Sequence, residues 1–223
     1  MGRFFPLTGH HIAFAFYYGM RALVGLAIVG FLLDGDWAFA FYASLVLLVM
    51  IAPGTLRESQ RFFLPFELDL ALVAFIFLSL FLGSLNGFYL RFWWWDGMIH
   101  FQSGVLAGVV GFLLVYVLNA AQPREKLELS SGFIALFSFA FSLAIAVLWE
   151  IVEFAGDEFF GWQAQESGWP DTMGDLIMAT CGAIIVAVIG YGWMRRRAQV
   201  PFTPRLLARL QYRGRQRETH RPS

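Results

Sequence analysis

Residues 149–175 read WEIVEFAGDEFFGWQAQESGWPDTMGD, and they decide how the rest of the chain is read. The stretch joins two long apolar runs. Glu150 and Glu153 close the first run, Asp171 and Asp175 open the second, and no Lys or Arg lies between them. Apolar runs near spanning length, joined by a polar loop with Trp at its edges, are the pattern of two helices turning at a membrane surface.

Working outward, six such runs can be marked: Ile12–Leu33, Trp37–Ala52, Phe66–Phe88, Gly97–Leu118, Gly132–Phe154 and Met173–Trp193. The second is short for a span. Each must be helical, because backbone groups in lipid have to pair within their own segment. Composition agrees: the 223 residues are 58% hydrophobic and only 14% charged, where a soluble domain carries about a quarter charged residues. The expected fold is an all-α polytopic transmembrane helical bundle of six spans, comprising residues 1–194, followed by a basic cytoplasmic tail over 195–223. No cleavable signal is expected, since Arg21 interrupts the first apolar run.

Six spans put both termini on one side, and Lys and Arg choose which. Arg3, Arg57, Arg61, Arg124, Lys126 and the nine arginines after Trp193 collect on that side, against Arg91 alone on the other. Both termini are therefore expected in the cytoplasm, and the Ala155–Pro170 loop outside it. In the tail, Thr203-Pro204 resembles a helix start, with Leu206, Leu207 and Leu210 on one face among Arg205, Arg209 and Arg213. A short helix on anionic lipid and a disordered tail that fixes orientation are both compatible with it. Basic residues flank spans, so membrane lipids are the expected partners and nucleic acid is not. One cysteine, Cys181, excludes an internal disulfide and a multi-cysteine metal site. There is no repeat, nucleotide-binding glycine motif or Ser-His-Asp pattern.

Three spans carry stripes of small and polar residues at helical spacing. The fourth has Asp96, His100, Ser103, Gly104, Ala107, Gly108 and Gly111; the fifth has Ser138, Ser142, Ala146, Glu150, Glu153 and Asp157; the sixth has Asp171, Asp175, Ala179, Gly182 and Val186. The glycines are explained by close helix packing. Asp96, or Asp171 or Asp175 through Thr172-x-x-Asp175, can be read as caps. Glu150 and Glu153 cannot, because they fall in the last turns of a helix, where the dipole disfavours negative charge. Ionisable groups at membrane depth face the protein interior or water, and crowded carboxylates share protons or find a cation. His100, Arg21, Arg91, a metal ion or a cationic ligand are the candidates. The expectation is that Asp96, His100, Glu150, Glu153, Asp171 and Asp175 converge as a metal site. The candidate cofactor is a divalent ion, with Mg, Mn or Ca suiting an oxygen-rich set. Glu67 and Asp69 are expected in an interfacial ion-pair group near Arg57 and Arg61. Arg21 is expected to face inward, neutralising a carboxylate or binding an anionic headgroup.

The combination Trp95-Asp96-x-x-x-His100-Phe101, Glu150-x-x-Glu153 and Asp171-Thr172-x-x-Asp175 followed by Gly182-Ala183 resembles the YjdF-like family of bacterial inner-membrane proteins, itself distantly similar to VanZ-like proteins. The resemblance covers the second half of the chain. It implies a multi-pass protein of the bacterial inner membrane and marks these polar residues as family features, and it supplies no substrate or reaction. Three functions stay open at this stage. One is a protein whose outer carboxylate–histidine cluster binds a divalent cation or a lipid headgroup. The others are a membrane-embedded metal-dependent hydrolase of lipid or envelope substrates, and a proton-coupled transporter.

Overall fold

A computed structural model describes residues 7–58, 65–121, 129–162, 164–165 and 168–196. Arg3, Arg61, Arg124, Lys126, Glu166 and the tail beyond Arg196 lie outside the described residues, as does the side chain of Arg57. The described chain is helical: α1 (Leu7–Asp34), α2 (Trp37–Glu58), α3 (Phe66–Ile76, continuing as a π-helix over Phe77–Leu85), a single turn α4 (Phe88–Arg91), α5 (Trp95–Ala121), α6 (Ser131–Phe160) and α7 (Trp169–Arg195). Six helices are long and apolar enough to cross a membrane: His11–Asp34, Trp37–Thr55, Phe66–Leu85, Trp95–Tyr116, Ser131–Phe160 and Trp169–Arg195. The six expected spans are all present. The second is not short, because α2 continues through Pro53. The fifth runs six residues further than expected and the sixth starts four earlier. Helices do not have to stop where hydropathy does.

The chain divides into two compact units, Met1–Ile99 and His100–Ser223. In the first, α1, α2 and α3 bury one face each. Tyr17 and Val24, then Ala43, Val46 and Met50, then Val73, Phe77 and Phe81 recur at helical spacing and form a common core. Large apolar side chains on the other faces, such as Leu23, Leu26 and Val29, are exposed, as lipid-facing positions require.

Inside this core sits a polar clasp. The Tyr17 hydroxyl donates to Asp69 Oδ2 at 2.8 Å, and Asp69 is fully buried. The Arg21 guanidinium lies 3.9 Å from the centre of the Tyr17 ring, and its Nη2 donates to the Met50 carbonyl at 2.5 Å. That carbonyl lies three residues before Pro53, whose missing N–H leaves the adjoining Val49 carbonyl without its helical donor. Gly54 leaves room for the clasp, since a methyl there would sit 3.0 Å from the Tyr17 hydroxyl. This corrects the expectation for Asp69. It is an internal group bonded to Tyr17, while Glu67, two residues earlier, is exposed. Arg21 is turned onto the Tyr17 ring and the Met50 carbonyl, inward as expected.

The second unit packs α6 and α7 against the part of α5 that begins at His100. The stripe expected on α6 is the buried one: Ser138, Ser142, Ala146 and Glu150. Its serines bind α5 directly, Ser142 Oγ donating to the Gly104 carbonyl at 2.8 Å and Ser138 Oγ to the Gly108 carbonyl at 2.7 Å. Helices α5 and α7 meet backbone to backbone. A methyl on Gly104 would overlap the Ala179 carbonyl, and one on Gly182 would overlap the Phe101 carbonyl. Phe112, Val115 and Ile134 fill the end of the unit nearer Arg195.

Candidate metal centre

One turn along α5 from Gly104, away from that apolar end, stands His100. It is buried, with carboxylates on both ring nitrogens. Nδ1 is 3.5 Å from Glu150 Oε1 on α6, and Nε2 is 3.8 Å from Asp175 Oδ2 on α7. Glu150 and Asp175 are buried as well. Glu153, half-buried, follows Glu150 by three residues and so shares its face. One ligand atom each from His100, Glu150 and Glu153 lie within 4.8 Å of one another, a spacing that a single ion can bridge. Asp96, on the same unbroken helix one turn before His100, joins His100 and Asp175 in a second group held to the same limit. Asp171 is half-buried one turn before Asp175 and falls in neither group.

The local reasons for these positions differ from those expected. Helix α6 ends at Phe160, so Glu153 and Glu150 lie about two and three turns inside it, where the helix-end field has faded. Burial, not the helix terminus, is what makes their charge costly. The caps are also different. Helix α7 begins after Gly168 with no side-chain cap, so Asp171 sits in its first turn and Asp175 in its second. Asp96 lies within the first turn of α5, which starts at Trp95. Asp171 and Asp175 are therefore not the N-cap of α7, while Asp96 and Asp171 hold first-turn positions where the helix dipole favours an acid.

Asp157, placed by its spacing on the face of Glu150 and Glu153, has another role. Its carboxylate accepts the backbone N–H groups of Ala164 at 2.8 Å and Gln165 at 2.9 Å. The Gln165 side chain in turn donates to Thr172 Oγ1 at 2.7 Å. With Gly161 at φ +68° closing α6, these bonds fold the loop back over the ends of α6 and α7. Sequence spacing put Asp157 on the right face; only the course of the loop shows that its oxygens are used there.

The centre is rich in carboxylates. Three carboxylates and Asp96 gather around one imidazole, which carries at most a single positive charge. Of the candidate counter-cations, Arg21 is engaged within the first unit by Tyr17 and the Met50 carbonyl, and Arg91 is exposed. Among the described residues from His100 onward, the only Lys or Arg are Arg195 and Arg196, about 30 Å along α7 from Asp175. One nitrogen and several carboxylate oxygens, carried on three long apolar helices, are what the unit brings together.

Fold and composition together define a multi-pass helical membrane protein. The chain belongs to the family described as "Predicted membrane protein (DUF2238)", whose profile matches residues 15–196 and so takes in most of the first long helix, the other five whole, and every residue of both groups. An "Uncharacterized protein" of Thermotoga maritima is 29% identical over 128 residues, covering 57% of this chain and 64% of the relative. No solved structure matches.

Proposed function

We propose that this protein is a divalent-cation-binding protein of the bacterial inner membrane, with its cation held by His100, Glu150 and Glu153 on the extracytoplasmic side. One observation carries the reading: a buried imidazole nitrogen and two carboxylate oxygens lie within 4.8 Å of one another in a membrane-spanning unit. Moving carboxylates out of water costs several kcal/mol per ion unless a cation or proton compensates, and a divalent ion is the compensation this set of ligand atoms is spaced to hold. One nitrogen with several oxygens suits Mg, Mn or a similar hard ion better than a thiolate-preferring one. The resemblance to YjdF-like proteins supports the inner membrane as the location, and the distribution of Lys and Arg supports the side.

A binding role is favoured over a transporter by what lies beneath the centre. One turn below His100, Gly104 meets the backbone of Ala179, and Ser142 and Ser138 occupy successive α5 carbonyls. Phe112, Val115 and Ile134 follow. Transport requires the path to open on the second side, usually by moving one set of helices against another. Here that motion must separate backbones in direct contact.

The test is the metal content of protein purified in detergent and dialysed against trace divalent ions, read by elemental analysis. The expected result is about one ion per chain. Glu150→Gln, Glu153→Gln and His100→Ala should each lower occupancy while the protein stays monodisperse and helical. No bound ion at any divalent-ion concentration would overturn the reading. Variants that become more stable without any metal bound would favour carboxylates that share protons. Hydrolysis of a panel of lipid and envelope phosphate esters by the loaded protein would then distinguish binding from turnover.

A further inference from the structure

His100 cannot serve both groups with the same nitrogen. Its Nδ1 faces Glu150 and its Nε2 faces Asp175, on opposite edges of the ring. A cation held with Glu150 and Glu153 therefore takes the Nδ1 lone pair and leaves Nε2 carrying the proton. We infer that Asp175 is a positioning residue, which accepts that Nε2–H and so fixes both the tautomer and the plane of the His100 ring for the cation. This rests on the cation reading proposed above.

Three features of the unit favour this division over the reverse. Glu150 and Glu153 lie three residues apart on one helix, so their separation is set before any ion arrives. Among the described residues no such same-helix pair stands at the other edge of the ring, which Asp175 faces from α7. Asp175 is also rigidly placed, because Ala179, one turn further along α7, is in backbone contact with Gly104, one turn along α5 from His100. The Nε2 to Oδ2 distance of 3.8 Å is an ion-pair distance and is too long for a hydrogen bond. Charge assistance draws such a pair to about 2.7–2.9 Å, a shift that Asp175 makes by rotating its carboxylate. Metal-bound histidines commonly donate their second ring N–H to a carboxylate in this manner, and loss of that partner typically lowers metal affinity about 10–100-fold.

The experiment is ¹⁵N NMR of the histidine ring nitrogens in detergent-solubilised full-length protein, titrated with diamagnetic Zn²⁺. The chain has four histidines, and the His100 signals are those missing from His100→Ala. The expected spectrum has Nδ1 of His100 shifted by metal and Nε2 protonated. Asp175→Asn keeps an acceptor and should retain that tautomer. Asp175→Leu should bind Zn²⁺ about 10–100-fold more weakly and give a mixture of tautomers. Metal on Nε2 in the unmutated protein overturns the inference whatever the variants do. So does Asp175→Leu with unchanged affinity and tautomer. Loss of the cation reading looks different, with no His100 signal responding to Zn²⁺ in the unmutated protein.

Discussion

Tyr17 donates its phenolic hydrogen to a carboxylate that no solvent reaches, and the clasp it makes with Asp69 and Arg21 is where the cost of ionisable groups in a span can be measured. Replacing Tyr17 by Phe leaves the ring under the Arg21 guanidinium and removes only the donor. Because the acceptor is a buried carboxylate, the loss should be about 1.5–3 kcal/mol, the range for hydrogen bonds to charged groups. It should appear as a lower melting temperature in detergent by fluorescence-detected size exclusion. On an Asp69→Leu background the same Tyr17→Phe change should cost little, since the hydroxyl has lost its acceptor. Equal losses in the two backgrounds would mean that the hydroxyl acts elsewhere. The clasp was hard to read in the sequence because its members are 52 residues apart. Asp69 also stands two residues after an exposed Glu67, so their proximity suggested a shared surface. His100 and Glu150 were legible because each sits on a helical stripe with no other explanation for its charge.

Helices α5 and α7 approach more closely than side chains allow, and the residues permitting it can be ranked. A methyl on Gly104 or Gly182 would overlap backbone atoms that cannot rotate away. A methyl on Gly108 would lie 3.1 Å from the Val186 Cβ, which can give slightly. A methyl on Gly174 would meet nothing within 4 Å. Folded yield in detergent should therefore fall sharply for Gly104→Ala and Gly182→Ala. It should fall for Gly108→Leu but little for Val110→Leu, which is exposed, and Gly174→Ala should be neutral. A uniform response across these positions would count against a close α5–α7 contact. The stripes themselves could be read from spacing, because small residues every three or four positions have one geometric meaning on a helix. The π-helix over Phe77–Leu85 could not. Its distinguishing bonds are backbone ones reaching five residues back, as Asn86 N–H does to the Phe81 carbonyl at 3.0 Å, and its residues serve equally well in an α-helix. Helix ends were displaced for a related reason. The last turns of α6 carry Asp157 and Glu158, which hydropathy counts as loop, while the backbone stays helical until Gly161.

At the scale of the whole molecule, six apolar helices and an uneven charge distribution make the orientation a physical prediction. Fourteen of the 16 Lys and Arg fall in segments on the side of the termini, while Asp34, Asp36, Asp157, Glu158, Glu166 and Asp171 fall in segments on the other. Basic residues near span ends are held on the cytoplasmic face, whereas acidic residues contribute little to topology. A periplasm-dependent reporter inserted between Gly161 and Gly168 should accordingly be active, and the same reporter fused after Trp193 inactive. The insertion must leave Asp157 its contacts with Ala164 and Gln165, so the position after Gln165 is the better choice. The reversed pattern would overturn the orientation, and activity at both positions would overturn an even number of crossings. The same measurement also bears on the metal centre. Asp157 and Thr172 tie the loop to the helix ends beside Glu153 and Asp171, so the side on which the loop lies is the side from which the cation proposed at His100 would arrive. With the loop outside the cytoplasm, an impermeant chelator added to intact right-side-out vesicles should strip the ion. Added to inverted vesicles, it should leave the ion bound.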